Sequence, residues 1–313
     1  VRAALSGVPV AAALLCGGPG DPILALRLAW AALAAAMFYF AWAVARGGVS
    51  RPPSSLVAVT AACAGLCSLT ALLSAGGARL SGTWFPFAAA TALIPGVALL
   101  TADDRRRVDQ ILAAAAWTLV IIAVHQRIHG HSRPAAFFSD EHAFAGAILL
   151  LSSFARRGGG FLTAGLLLCL YWTHSYAAWL ALAAAALLSA RRWSHALRVA
   201  CEGAVILAAA AARLRAAIAS PVDLPLLLAW CAPALQLLRR GDPAVRTGLI
   251  AFLIYGVRRD VASNPAVFLL FCLSAAWSIP ESDDTFDVRP GRRPAVVAAA
   301  TVAACLSFWA VRM

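Results

Sequence analysis

The stretch RRRVDQILAAAAWTLVIIAVHQR, residues 105–127, decides how the chain is read. Three arginines precede an apolar run at 108–124, and a single arginine, Arg127, follows it. Such a run, apolar on every side, suits a bilayer, where about 20 apolar residues span the hydrocarbon core. Working outward in both directions, the same pattern recurs. Apolar segments fall at 3–15, 23–45, 56–75, 84–101, 108–124, 143–154, 161–173, 177–190, 199–212, 224–238, 247–257, 265–279 and 294–311. Several are shorter than a full span, so the expectation is about 12–13 membrane segments, some of which re-enter rather than cross. The run at 3–15 is read as a first membrane helix rather than a signal peptide.

The composition agrees: 62% of residues are hydrophobic and 13% charged, with a mean hydropathy of +0.80. A soluble domain carries roughly 25% charged residues. The predicted fold is therefore all-α, a polytopic transmembrane helical bundle forming one integral membrane domain over residues 1–313.

All 26 basic residues are arginine. Arg2, Arg46, Arg51, Arg105, Arg106, Arg107, Arg156, Arg157, Arg191, Arg192, Arg198, Arg239, Arg240, Arg246, Arg289, Arg292 and Arg293 lie at one set of segment ends. Arg79, Arg127, Arg133, Arg213, Arg215, Arg258, Arg259 and Arg312 lie at the other, and Arg27 lies inside a segment. Cytoplasmic loops retain arginine and translocated loops shed it. The larger set is thus expected in the cytoplasm, together with the amino terminus, and the smaller set outside. The exclusive use of arginine, with the alanine runs, points to a compositionally biased, GC-rich genome rather than a polyanion partner, so the net charge of +12 implies no nucleic acid, and none is expected.

The orientation puts the polar turn HQRIHGHSRPAAFFSDEH, residues 125–142, on the outward side, along with 213–223 and the end of the segment at 161–173. His125, His129 and His131 read as solvated loop histidines rather than metal ligands, because Gly130 interrupts the helix that would align them. Eight cysteines scattered through apolar segments lack disulfide or zinc spacing and read as small packing residues. Glu202 is expected to pair with Arg198, one helical turn earlier. There is no phosphate-binding glycine loop and no internal repeat with a period of about 20–50 residues. No cofactor and no metal are expected.

Within the outward turn, Arg133-Pro-Ala-Ala-Phe-Phe138-Ser-Asp140-Glu141-His142-Ala-Phe-Ala145 resembles a motif of the O-antigen ligase and O-antigen polymerase superfamily. There an arginine precedes Gly-Thr-Phe and Asn-Pro-Asn, then a small-residue helix. Arg133, Phe138 and Ala145 match in spacing, while Asp140, Glu141 and His142 stand at the Asn-Pro-Asn places. Thr173-His-Ser175-Tyr176-Ala-Ala-Trp179-Leu180 is similar to the family's Thr-x-Ser-Arg-Gly-Ala-Trp-Leu, with Tyr176 in place of the arginine. The similarity is best over 105–193. The chain diverges by lacking the family's long periplasmic loop, which carries a catalytic histidine; here 213–223 joins two segments.

The resemblance implies a metal-independent membrane glycosyltransferase in cell-surface polysaccharide (lipopolysaccharide) assembly, in the bacterial inner membrane. It would move a glycan from an undecaprenyl diphosphate carrier, a lipid-linked oligosaccharide donor, to a saccharide or lipid-glycan acceptor at the periplasmic face. Arg133 would engage the diphosphate, since a guanidinium fork binds phosphate oxygens bidentately. Arg127, Arg213, Arg215 and Tyr176 are the further substrate-binding candidates. His142, Glu141 or Asp140 would take the acceptor's proton. A multi-helix transporter or flippase, and a non-catalytic family member acting as a scaffold, remain the alternatives.

Overall fold

The computed structural model describes residues 7, 10, 11, 14, 15, 102–138, 140–155, 159–189, 195–219, 243–258 and 264–277. The predicted segments at 23–45, 56–75, 84–101, 224–238 and 294–311, and most of 3–15, lie outside the described residues. What is described is helical throughout apart from short turns. Seven helices follow one another: α1 (Ala102–Ile128), α2 (Glu141–Ala155), α3 (Gly160–Trp172), α4 (Tyr176–Ser189), α5 (His195–Ala219), α6 (Pro243–Arg258) and α7 (Pro265–Trp277).

Each helix overlaps one predicted apolar segment, and the termini follow local chemistry. α1 opens with Asp103 and Asp104 and closes with His125 and Arg127, charges that oppose the helix dipole at each end. It stops where Gly130 turns left-handed at φ 89° and the amides of Gly130 and His131 return to the carbonyls of Arg127 and Gln126. Asp140 caps α2: its Oδ1 accepts the amides of His142 at 2.8 Å and Ala143 at 2.7 Å. Asn264 caps α7 in the same way, and Pro265 at the first helical position has no amide to leave unsatisfied.

α6 lies at the centre of these helices, packed against α4, α2, α5 and α7. Its alignment with α2 is antiparallel and fixed at two points: Gly248 faces Leu149 and Ser153, and Tyr255 reaches His142 seven residues later. Thr247 donates to Ser189 Oγ at 2.7 Å, so α4 also runs antiparallel to α6. α5 meets it through an ion pair between Glu202 and Arg246. This corrects the expected pairing of Glu202 with Arg198: the i to i+4 spacing was available, but α6 brings a second guanidinium against the buried carboxylate.

One end of the bundle therefore gathers Arg105, which lies over the Trp277 ring at 5.7 Å, with Phe154, Ser189, Glu202 and Arg246. The opposite end gathers Gln126, the turn after α1, His142, Ser175 and Tyr255.

Close approach of α2 and α6 depends on Gly248. A Cβ there would stand 2.9 Å from the Leu149 carbonyl oxygen and 3.0 Å from Ser153 Oγ. A backbone carbonyl inside a helix cannot rotate away, so the helices would have to separate. Gly248→Ala is expected to destabilise the protein by about 1–3 kcal/mol. Gly203→Ala, on α5 with nothing within 4 Å of the added carbon, serves as the matched control and should be neutral or slightly stabilising. Thermal unfolding of the purified variants measures both.

The exposed faces have an unusual character. α4 buries Ala178, Ala181 and Ala185 and leaves Leu180 69% and Leu187 66% exposed. α1 leaves Ile121 62% exposed, and α3 leaves Phe161 88% exposed. On α4 small residues face inward and large apolar ones outward, the reverse of what water favours, whereas α1 and α3 also bury leucines. Among the described residues, α1 alone is long and apolar enough to cross a bilayer unaided; α2, α3, α4, Val245–Val257 and Ala266–Trp277 are apolar but shorter.

Candidate functional site

The turn between α1 and α2 is ordered by its own sequence. Gln126 clasps Ala136 twice, its Nε2 donating to the Ala136 carbonyl at 2.8 Å and its Oε1 accepting the Ala136 amide at 2.9 Å. Arg127 donates to the carbonyls of His131 at 3.3 Å and Ser132 at 2.9 Å. Phe138 is buried and stacks on Phe144 of α2, with ring centroids 5.7 Å apart. Together with the Asp140 cap, these contacts hold Arg133 on a defined rim.

Arg133 donates to Glu141 Oε1 at 3.1 Å, and its side chain remains 58% exposed. A guanidinium carries five N–H donors, so a cation held in this way still presents donors outward. The Glu141 carboxyl is held below its usual range. A hydrogen bond from its own backbone is the main cause, burial opposes it, and the hydrogen bond from Arg133 adds to it. Since folding lowers that value, the contribution to stability is complete above the ordinary carboxylate range and is lost as pH falls through the lowered value.

One residue beyond Glu141, the ring of His142 turns inward. Its Nδ1 lies 3.2 Å from the Tyr255 hydroxyl of α6, and Ser175 Oγ donates to the same hydroxyl at 3.0 Å. Tyr255 and Ser175 are buried, and the helices around them are apolar. Ser175 begins α4, where its backbone carbonyl accepts the amides of Ala178 and Trp179. A serine there usually turns its hydroxyl back onto the helix amides. Here the hydroxyl crosses to α6 instead. The described non-glycine residues with left-handed backbone are Ala136 at φ 49° and His174 at φ 52°. One sits on the Gln126 clasp and the other immediately before Ser175, so local strain flanks the cluster on both sides.

Of the predicted site, Arg133 and Glu141 pair with each other, and His142, the next residue, turns inward to Tyr255. Asp140 Oδ1 is occupied as a helix cap, and Arg127 fastens its own turn. Tyr176 points away, largely exposed at the start of α4. Arg213 is buried and Arg215 exposed near the end of α5, and the turn beyond them at 220–223 lies outside the described residues. His125 and His129 stack at 4.0 Å, and His129 Nδ1, facing the His125 carbonyl at 2.9 Å, must carry its proton. Among the described residues no group of three metal-ligating side chains converges.

Tyr255 was not anticipated from the sequence, and Ser175 entered only as part of a motif. The available signal was a hydroxyl-bearing ring at the outward end of a short apolar segment. No family model matches the chain, and no curated protein or solved structure matches it.

Proposed function

We propose that the chain is a multi-pass protein of the bacterial inner membrane, amino terminus in the cytoplasm, that transfers a glycan from undecaprenyl diphosphate to a saccharide acceptor at the periplasmic face. Its resemblance to O-antigen ligases and polymerases supplies the reaction. The exposed Leu180 and Leu187 of α4, set against its buried alanines, support lipid as the solvent, and the exposed Ile121 of α1 and Phe161 of α3 agree with it.

One observation carries the chemical reading: Arg133 pairs with Glu141 on a braced rim, and the imidazole of the next residue, His142, turns from that rim to the Tyr255 hydroxyl. Glycosyl transfer from a diphosphate needs a cation where negative charge grows and a proton acceptor for the attacking hydroxyl. Arg133 stabilises the departing diphosphate, and His142 takes the proton. Donor and acceptor are the partners, with membrane lipids around the bundle.

The test is genetic. A deletion strain should lose high-mass surface glycan on a gel, the wild-type gene should restore it, and Arg133→Ala should not, while accumulating normally in the membrane. Loss of one charge-stabilising donor lowers rates by about 100- to 1,000-fold, enough to empty the ladder. A full ladder with Arg133→Ala sinks the enzyme reading and favours a scaffold. Reporter fusions at residue 130 that read as cytosolic sink the orientation.

A further inference from the structure

A buried hydroxyl is costly unless it is satisfied, and two buried hydroxyls beside one imidazole satisfy each other only in series. Ser175 Oγ, Tyr255 Oη and His142 Nδ1 form such a series, at 3.0 and 3.2 Å. Its members come from the start of α4, the end of α6 and the start of α2, 80 and 113 residues apart in sequence. Local geometry alone does not assemble such a chain; the antiparallel register of α2 and α6 does.

Each hydroxyl both donates and accepts, so the series has two polarities. In one, Ser175 donates to Tyr255 and Tyr255 donates to Nδ1, which places the ring proton on Nε2. In the other, Nδ1–H donates to Tyr255 and Tyr255 donates to Ser175, which leaves Nε2 with a free lone pair. The ring stays in place while its tautomer changes.

We propose that Tyr255 and Ser175 are positioning residues that fix the His142 ring and switch its tautomer, so that Nε2 accepts the proton of the incoming sugar hydroxyl. This rests on the glycosyl-transfer reading above. The acceptor oxygen bonds to the donor's anomeric carbon as the bond from that carbon to the diphosphate oxygen breaks. The electron pair leaves with the diphosphate, beside Arg133. The hydroxyl proton passes to Nε2, and the resulting imidazolium donates through Nδ1–H to Tyr255 Oη before returning a proton to the diphosphate. The neutral series is what steadies the ring without fixing its charge.

Full-length protein carrying ring-15N histidine, in lipid nanodiscs, provides the test. The chain has six histidines, and His142→Gln assigns the signal. Tyr255→Phe keeps the ring packing and removes the central hydroxyl. It should shift the His142 nitrogen signals and lower kcat by about tenfold, the effect of one orienting hydrogen bond, with KM little changed. Ser175→Ala should move both readouts in the same direction by less, and Ser175→Thr, which keeps a hydroxyl, should stay close to wild type. Unmoved His142 signals in folded Tyr255→Phe overturn the proposal, as do moved signals with unchanged kcat. If Tyr255→Phe moves the His142 signals while the wild-type protein itself transfers no glycan, the fixing of the ring stands and the glycosyl-transfer reading falls instead.

Discussion

Arg246→Met is expected to lower the unfolding temperature of the solubilised protein by on the order of 10 °C. Arg246 of α6 closes on Glu202 of α5, whose side chain is only 4% exposed. Removing the guanidinium leaves a carboxylate with neither water nor a counter-ion, a change that costs about 3–5 kcal/mol in buried pairs. The sequence alone favours a different experiment, Arg198→Met, because Arg198 precedes Glu202 by one turn. That variant removes the cation on Glu202's own helix but not the one across the interface, and should cost less than about 1 kcal/mol. Glu202→Gln combined with Arg246→Met should recover most of the loss, since an amide is far less costly to bury than an ion. Equal effects of Arg198→Met and Arg246→Met would show that the α5–α6 contact is not as described.

The contrast between those two arginines shows which parts of the architecture the sequence discloses. Apolar runs and their charged or glycine-bearing ends are local properties, so 108–124, 143–154 and 161–173 lie inside or within one residue of α1, α2 and α3. Helices extend beyond their apolar runs where a cap or proline permits, as at Pro243 ahead of the segment at 247–257. Which helix is central is a different matter. That segment is the shortest of the set, yet α6 organises α2, α4, α5 and α7. A helix apolar on all sides carries no stripe to reveal its neighbours. Gly248 was the available mark, because a residue without a Cβ admits the Leu149 carbonyl.

The candidate site divides along the same line. Arg133, Glu141 and His142 are neighbours in sequence and stay neighbours in space. Asp140 looked like a third proton acceptor, but it stands one residue before a helix, where a carboxylate meets free amides first. Arg127, the second candidate phosphate ligand, ends a helix and gives its Nη1 to two carbonyls that need donors. Tyr255 could not be placed by any local rule. It meets His142 across 113 residues only because α2 and α6 pack in one register.

Those geometries separate the three acidic or basic candidates for the proton-accepting step. Asp140→Asn should retain transfer within about threefold, because asparagine caps a helix as well as aspartate does. Glu141→Gln frees Arg133 from its ion pair and keeps a neutral acceptor of similar shape; the cation stays on its braced rim, and activity should fall modestly. His142→Gln is expected to lower kcat by about 100- to 10,000-fold, the usual contribution of general base catalysis. Glutamine suits a helix as readily as histidine and can still meet the Tyr255 hydroxyl, so folding should change little and the loss should appear in kcat. Single-turnover transfer from a lipid-linked donor, with purified protein and each substitution in turn, measures the order. If Asp140→Asn proved the most damaging, the acceptor's proton would go to a carboxylate whose Oδ1 already accepts two backbone amides, and the assignment of His142 as base would fall.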